Sequence, residues 1–315
     1  AMTVLDDIAE KNASAVLSGA FDNVYCKPYD DGKTYLAPLF IEQEGLIYNK
    51  KLLSENGWSL PTTWDEFVAL AEKCDEKNIA VFTYAGREPE EFVNMFAAAA
   101  VPAVGTEQMN KLLSCDKEAW TDNEQAKAFA EKLDAIKKLV VSGSSTKTHD
   151  DVTESFKKGE ALFISGSTAD LAKLLEDENA DYGFAAYPSL SGERVNVISV
   201  SEMYIPIEAK NVDLGKKFMS FLYSDAAAAV AAETVKKLPP VASAASLAAQ
   251  YEFGAAEKEA YSALTSSVYA PKFMVKAADN ESLSDEFCAL AVSVFKGDVK
   301  PEEFASKMVE YIEKY

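Results

Sequence analysis

The sequence predicts an α/β protein with two lobes and a largely helical C-terminal part. The prediction rests on the length of 315 residues, on short apolar segments that alternate with amphipathic helices, and on a mostly helical final third. Because single hydrophobic cores stop growing near about 250 to 300 residues, a chain of this length is expected to divide into two lobes. The apolar fraction of 48% and the charged fraction of 26% are typical of a folded globular protein.

Two helices have clear starting signals. The first is predicted to begin after Thr63, whose hydroxyl can cap the helix while Glu66 completes a capping box. The second is predicted to begin at residues 121–124, and its apolar residues recur every three to four positions until Gly143 ends it. Both helices are therefore predicted to pack one apolar face against a core.

Short apolar segments with polar flanks have the length of β-strands. They lie at residues 45–48, 79–82, 161–164, 183–186 and 203–206. Strands that alternate with helices predict α/β layers, in which the loops at strand ends carry the functional site. Beyond residue 214 the chain is predicted to be helical at 216–222, 226–233, 255–265, 284–295 and 301–315.

The charge excludes one class of partner. The 51 acidic residues outnumber the 31 basic residues, which gives a formal net charge of −20. Such a charge repels the phosphates of nucleic acids and the head groups of anionic lipids, so we expect no nucleic-acid partner. The sequence has no apolar run of the about 20 residues that a membrane-spanning helix needs.

The usual catalytic and cofactor motifs are absent from the sequence. There is no glycine-rich phosphate loop, no GxSxG elbow and no HExxH motif, so we expect no catalytic residue, no metal ligand and no cofactor. The only histidine, His149, lies in a polar run, which argues against an activated thiol. The scattered cysteines are predicted to be free and mostly buried, and they are Cys26, Cys74, Cys115 and Cys288.

Two carboxylates are candidate ligand-binding groups. Glu42 and Glu44 lie two positions apart in an extended stretch, so their side chains are expected to point the same way. Hydrogen bonding to a ligand is the favoured interpretation. A solvated surface and a glycosidase that uses two carboxylates are the alternatives.

Several ordered blocks of the sequence resemble a known family. They are DGKTYLAPL at 31–39, GLIYNK at 45–50, PTTWDE at 61–66, FKKGEALFISG at 156–166, GFAAYP at 183–188 and DLGKKFMSFL at 213–222. Together they resemble the family 1 extracellular solute-binding proteins, which are maltose-binding-protein-like. Members of this family carry a long segment before the first block, so the resemblance implies that this chain lacks its N-terminal segment.

The resemblance implies a type II periplasmic-binding-protein-like fold, with two α/β lobes joined by hinge strands around a ligand cleft. It implies a solute-binding subunit of an ABC importer that holds a mono- or oligosaccharide without turnover and delivers it to permease subunits. The location would be periplasmic or extracellular, as a cell-surface lipoprotein. Contact with the membrane would occur only through a lipid anchor that is absent from this chain.

The resemblance also implies a division of the chain. Residues 39–45 and 198–202 would cross between the lobes. The first lobe would then contain residues 1–43 and 200–250, with its opening strands missing. The second lobe would contain residues 44–199 and 251–315.

By the same resemblance, Glu42 matches a position where family members offer an acidic side chain to the ligand. Its neighbour Glu44 and Glu202 of the second crossing are further candidate ligand-binding residues. Asn94 follows a predicted strand near the cleft, where its amide could both donate to and accept from a ligand hydroxyl.

An aromatic contact is expected but is absent from its usual place. Ser167 and Thr168 occupy the turn where family members commonly place a tryptophan against a sugar ring, and both are candidate ligand-binding residues. Tyr84, Phe92 and Tyr204 are the candidate replacements for this ring, with packing in a core as the commoner role of each aromatic residue. A carbohydrate-active hydrolase remains the alternative function, and a non-functional fragment or scaffold is a third possibility.

Overall fold

The computed structural model describes residues 1–22, 26–29, 31–88, 90–177, 179–264, 268–271 and 282–314. Its β-strands are β1 (Ala37–Asn49), β2 (Ala80–Thr83), β3 (Ala161–Ser167), β4 (Tyr182–Ala185), β5 (Tyr187–Pro188), β6 (Arg194–Met203) and β7 (Val268–Pro271). Its α-helices are α1 (Asp6–Asn12), α2 (Lys50–Glu55), α3 (Trp64–Asp75), α4 (Glu90–Leu113), α5 (Lys117–Trp120), α6 (Glu124–Ile136), α7 (His149–Lys157), α8 (Thr168–Leu174), α9 (Val212–Leu222), α10 (Asp225–Thr234), α11 (Ala244–Gln250), α12 (Ala255–Ala263), α13 (Ser282–Lys296) and α14 (Phe304–Lys314).

Strand β1 is the centre of the β-sheet. Within the described part of the chain, the strands form a seven-stranded sheet in the order β2-β3-β1-β6-β5, with β4 also paired to β1 and β7 to β6. The first half of β1 pairs antiparallel with β6, from Ala37 opposite Met203 to Glu44 opposite Val197. Its second half pairs antiparallel with β3 and β4. The long strand therefore joins two differently covered parts of the sheet.

The buried apolar residues of the described ranges form three clusters. We name the largest the major core, and it includes Leu46, Trp64, Phe96, Phe163 and Phe287. The second, here the minor core, includes Leu5, Ile41, Tyr223, Leu238 and Tyr261. A third cluster includes Ile47, Phe156, Ile164, Phe184 and Ala260. Strand β1 contributes side chains to all three clusters, so it runs from the minor core into the other two.

The capping signals of the sequence form as predicted. The Thr63 hydroxyl accepts a hydrogen bond from the Glu66 backbone N–H at 3.1 Å, and the Glu66 carboxylate accepts one from the Thr63 N–H at 3.2 Å. Asn123 caps α6 by accepting from the Ala126 N–H at 2.8 Å. That helix ends at Ile136, well before Gly143, because the chain turns back and Val140 bridges to Phe82 of β2.

Three sequence predictions of secondary structure are corrected. The strand predicted at 203–206 is wrong, because β6 ends at Met203 and Ile205 instead meets the N-terminal segment through the Thr3 N–H at 2.8 Å. Strand β1 begins at Ala37, eight residues before the predicted start. Of the helices described, α1, α2, α4, α5, α7, α8 and α11 were not predicted. Residues 265 and 315, the last of two predicted helices, lie outside the described residues.

The cysteines lie where their apolar neighbours predict. Cys26, Cys74 and Cys288 are buried and Cys115 is partly buried. Burial raises the pKa of the Cys74 thiol to about 12, so this side chain stays protonated and packs as a small apolar group.

Candidate functional site

The middle of strand β1 is open on one face. From residue 40 to residue 44 the side chains alternate: Ile41 and Gln43 are buried, while Phe40, Glu42 and Glu44 are partly exposed. Residues 45–48 are buried throughout. Because successive side chains of a strand point to opposite faces, Phe40, Glu42 and Glu44 share one face, which we name the open face of β1. Leu46 of the major core follows on the same face of the strand, whereas Ile41 of the minor core points to the opposite face.

Neighbouring strands extend the open face with hydroxyl groups. Phe40 is opposite Ser201 on β6, and Glu44 is opposite Ser167 on β3. Residues directly opposite each other on antiparallel strands point to the same face, so both serines border the open face. The Ser201 hydroxyl is exposed and accepts a hydrogen bond from the Phe40 backbone N–H at 3.3 Å.

A buried amide orients the Glu44 carboxylate. Asn94, on the first turns of α4, is 3% exposed, and its side-chain nitrogen donates a hydrogen bond to Oε2 of Glu44. The Asn94 Oδ1 has no hydrogen-bond partner among the described residues. A carboxylate offers about four acceptor positions, and the Asn94 amide occupies one of them while it fixes the direction of the group. The structure therefore brings two predicted site residues, 50 positions apart, into direct contact.

Ser167 and Thr168 already have structural partners. The Ser167 hydroxyl caps α8 by accepting from the Asp170 N–H at 3.1 Å, and it donates to Asp170 Oδ2 at 2.8 Å. The Thr168 hydroxyl accepts from the backbone N–H of Gln43 at 3.4 Å. Both side chains are partly exposed beside β1, so they remain at the edge of the site while holding α8 against the strand.

Two of the three predicted aromatic contacts lie inside the major core. Tyr84 is 3% exposed and stacks on Phe295 with 4.8 Å between ring centroids, and Phe92 is fully buried against both rings. Burial raises the pKa of Tyr84 to about 12. Neither ring reaches the open face in this structure. Tyr204 is 55% exposed and follows Met203, which is the last residue of β6 and pairs with Ala37 at the far end of β1.

The Glu202 side chain projects from the face of the sheet opposite the open face of β1. It directly follows Ser201 on β6 and pairs with Pro38, so its side chain points away from the face that Ser201 borders. It is partly buried, and burial raises the pKa of its carboxyl group. The structure therefore separates Glu202 from Glu42 and Glu44.

Two residues of this stretch of β1, Gln43 on its buried face and Phe40 on its open face, were not singled out from the sequence. Gln43 is 1% exposed, and neither amide atom of its side chain has a hydrogen-bond partner in the described part of the chain. Phe40 is partly exposed on the open face. Both could have been noticed if the predicted strand had been extended back from residue 45, because the alternation from residue 40 onward would then have been visible.

No helix among the described residues combines the length and the apolar character required to cross a lipid bilayer. Within the same residues, no group of three or more histidine, cysteine, aspartate or glutamate side chains is arranged to hold a metal ion.

The model of the protein family described as "bacterial extracellular solute-binding protein" matches residues 1–229 of this chain. The chain belongs to this family. The family resemblance predicted from the sequence blocks is thereby confirmed. As a bacterial extracellular solute-binding protein, the chain is 26% identical over 210 residues to the multiple sugar-binding protein of Streptococcus mutans serotype c. It is 25% identical over 214 residues to the diacetylchitobiose binding protein NgcE of Streptomyces coelicolor.

These matches include 64% and 62% of this chain, but only 50% and 44% of the two relatives. The chain thus spans about half the length of the curated relatives that it matches.

Solved structures of solute-binding proteins share the fold. The bacterial solute receptor AcbH superposes with a TM-score of 0.78 at 18% identity, and the match covers 99% of this chain and 78% of that chain. RafE from Streptococcus pneumoniae superposes with a TM-score of 0.69 at 16% identity, covering 98% and 81%. The predicted two-lobed periplasmic-binding-protein-like fold is confirmed by this agreement.

Proposed function

We propose that this protein captures a mono- or oligosaccharide in a cleft between two lobes and releases it unchanged to the permease of an ABC importer. The observation that carries this proposal is the open face of β1, where a buried amide orients the Glu44 carboxylate beside Glu42. An ionised carboxylate accepts hydrogen bonds from hydroxyls about twice as strongly as a neutral acceptor does. A row of such acceptors suits a ligand that is rich in hydroxyl groups.

The arrangement of the cores supports two lobes around this face. Buried residues from 5 to 41 and from 205 to 248 contribute to the minor core, and most of the buried apolar residues between 46 and 197 lie in the major core. Strands β1 and β6 run between them and would be the hinge crossings at 39–45 and 198–202. The division into 1–43 with 200–250 and 44–199 with 251–315 belongs to this proposal. Phe253 and Tyr261 extend the minor core beyond residue 250.

The names of the relatives support a carbohydrate as the solute. One relative is a multiple sugar-binding protein and another binds diacetylchitobiose. A structure of similar fold is that of RafE in complex with raffinose. For this chain, we propose the same class of solute on the chemical grounds given by Glu42, Glu44 and Asn94.

The geometry does not favour the alternative hydrolase. Glycosidases place two carboxyl groups so that they flank the scissile bond. Glu42 and Glu44 both project from the open face of one strand, so they approach a ligand from the same side. We therefore propose reversible binding without turnover.

The family supports a location outside the cytoplasmic membrane, either periplasmic or on the cell surface. We propose that permease subunits are the protein partners. Attachment as a lipoprotein would require a lipid anchor outside the residues described here.

Isothermal titration calorimetry of the purified chain against galactose, diacetylchitobiose and raffinose tests the function, with amino acids as negative controls. We expect saturable binding of at least one sugar, and recovery of the sugar intact by chromatography. The Glu44→Gln variant should weaken this binding, whereas Glu72→Gln, an exposed position on α3, should not. Cleavage of the sugar would instead support the hydrolase, and binding of amino acids alone would contradict a carbohydrate solute.

A further inference from the structure

We propose that Phe40 is the aromatic side chain on which the sugar stacks, and that it selects pyranosides with a continuous C–H face. This inference rests on the proposed function and deepens it, because it replaces the aromatic contacts predicted at Tyr84 and Phe92. Carbohydrate sites combine polar groups with an apolar surface, and an aromatic ring supplies that surface in one side chain.

Phe40 lies outside the hydrophobic cores that the described residues form. It belongs to none of the three clusters of buried residues, neither as a member nor as a partly buried neighbour. It makes no ring contact with another described aromatic residue, whereas Phe163 and Phe67 pack at 5.5 Å in the major core. Among the described phenylalanines, those that escape burial are Phe40, Phe218 and Phe221, and the last two lie on α9. The part of the Phe40 side chain that stays exposed on the open face of β1 is therefore available to a ligand.

The backbone directs this ring toward the carboxylates. The register between β1 and β6 shifts between Pro38 and Phe40, and such an irregularity re-aims the side chains that follow it. The Phe40 N–H donates to the Ser201 hydroxyl at 3.3 Å, which helps to fix the backbone at this point. Beyond the shift, the strand alternates regularly, so Phe40 shares the face of Glu42 and Glu44.

The spacing along the strand matches the two kinds of surface on a pyranose. With a rise of about 3.3 Å per residue, the Phe40 ring and the Glu42 carboxylate leave the strand about 7 Å apart. A pyranose presents C–H groups on its face and hydroxyl groups at its rim. The Phe40 side chain has no polar atom, so it makes favourable contacts only with the C–H face of the sugar. The neighbouring carboxylates accept hydrogen bonds from the hydroxyl groups at the rim.

The other exposed aromatic candidate is Tyr204, at the far end of the β1–β6 pair. It follows Met203, which is opposite Ala37, while Phe40 is opposite Ser201. Glu42 and Glu44 continue away from that end of the pair. A sugar held by both carboxylates therefore meets the Phe40 ring before it could meet Tyr204.

The test compares Phe40→Leu, Phe40→Tyr, Tyr204→Leu and Phe218→Leu by calorimetry with galactose, diacetylchitobiose and raffinose. For a sugar bound by the wild type, we expect Phe40→Leu to raise Kd about fivefold, which corresponds to the roughly 1 kcal/mol that an aromatic contact contributes beyond its buried area. Phe40→Tyr should retain nearly all the affinity, and the two control variants should match the wild type. Proton NMR should show upfield ring-current shifts of sugar C–H protons that disappear in Phe40→Leu.

Each outcome decides the proposal. Equal affinity of Phe40→Leu and wild type, or a loss confined to Tyr204→Leu, would overturn the role of Phe40 while leaving sugar binding intact. Absence of binding by the wild type to all three sugars would overturn the proposed function together with this inference. If Phe40→Leu does not fold, the affinity of Phe40→Tyr and the ring-current shifts in the wild-type complex still show whether the sugar stacks on Phe40. Sugar protons that are not shifted would contradict stacking.

Discussion

The two halves of strand β1 share one backbone but differ in what covers them. Residues 46–48 are buried on both faces, because Leu46 and Tyr48 enter the major core and Ile47 enters the third cluster. Residues 40–44 are buried on one face only, through Ile41 and Gln43. The same alternating strand therefore provides a core on one side of Gly45 and a candidate binding surface on the other.

This difference shows how the site obtains rigidity. The candidate ligand-binding side chains are not on a long loop but on a strand whose continuation is fixed by large aromatic residues such as Phe163. A site on a regular element supported by packing keeps its geometry more accurately than a site on a loop. The following predictions test whether the two halves have the separate roles that their surroundings indicate.

The largest effect is expected in the covered half. Phe163 is fully buried, with its ring centroid 5.5 Å from that of Phe67, so Phe163→Ala should cost about 3 to 5 kcal/mol of unfolding free energy. Chemical denaturation measures this loss. The same substitution in the open half, Phe40→Ala, should cost less, because Phe40 is partly exposed and belongs to no core cluster of the described residues. Equal losses would show that the two halves do not differ in packing.

The boundary between the halves is sensitive to a single methyl group. A Cβ at Gly45 would lie 2.4 Å from the Ala185 carbonyl oxygen and 2.7 Å from Cζ of Phe184. Because that oxygen belongs to the backbone of β4, Gly45→Ala should destabilise the protein by about 1 to 3 kcal/mol. Gly254→Ala is the control, since its Cβ would meet only the flexible Glu257 carboxylate at 3.1 Å. Thermal denaturation that gives equal midpoints for both variants would refute the steric argument.

In the open half, substitutions should change binding more than stability. Glu44→Gln keeps the shape of the side chain but removes the charge that strengthens its hydrogen bonds, so sugar affinity should fall about tenfold. Titration calorimetry measures the change, and denaturation of the same variant should give nearly wild-type stability. An unfolding free energy that falls in parallel with affinity would mean that the Glu44 contact with Asn94 is structural.

The smallest effect concerns Glu202, on the opposite side of the sheet. Burial raises the pKa of its carboxyl group above the ordinary value of 4.5, so the folded state disfavours its charged form. The folded state therefore favours the protonated carboxyl group. The stability that this preference contributes is fully present below pH 4.5 and is lost as pH rises through the raised pKa. Glu202→Gln should therefore be slightly more stable than the wild type at neutral pH, and the difference should close on acidification. Denaturation curves at pH 4 and pH 7 measure it, and a pH-independent difference would contradict the linkage.

Parts of the fold follow from local signals in the sequence. Thr63 and Glu66 define the start of α3 because both partners of a capping box lie within four residues. Strands β2, β3 and β4 overlap the apolar segments predicted at 79–82, 161–164 and 183–186. Strand β6 was placed too late, because its residues mix polar and apolar side chains and its pairing partner lies far away on β1. Long-range pairing does not leave a periodic pattern strong enough to mark both ends of a strand.

The sequence by itself determined the family, the α/β layers and the direction of Glu42 and Glu44, because ordered blocks, helix caps and strand alternation are local properties. Only the tertiary structure decided which of the aromatic side chains near the site are buried and which remain partly exposed. Tyr84 and Phe92 pack in the major core against Phe295, some 200 positions later, while Phe40 has no ring contact among the described aromatic residues and stays partly exposed. It also decided that Asn94 meets Glu44. Burial depends on which distant segments fold against a residue, and a local pattern does not contain that information.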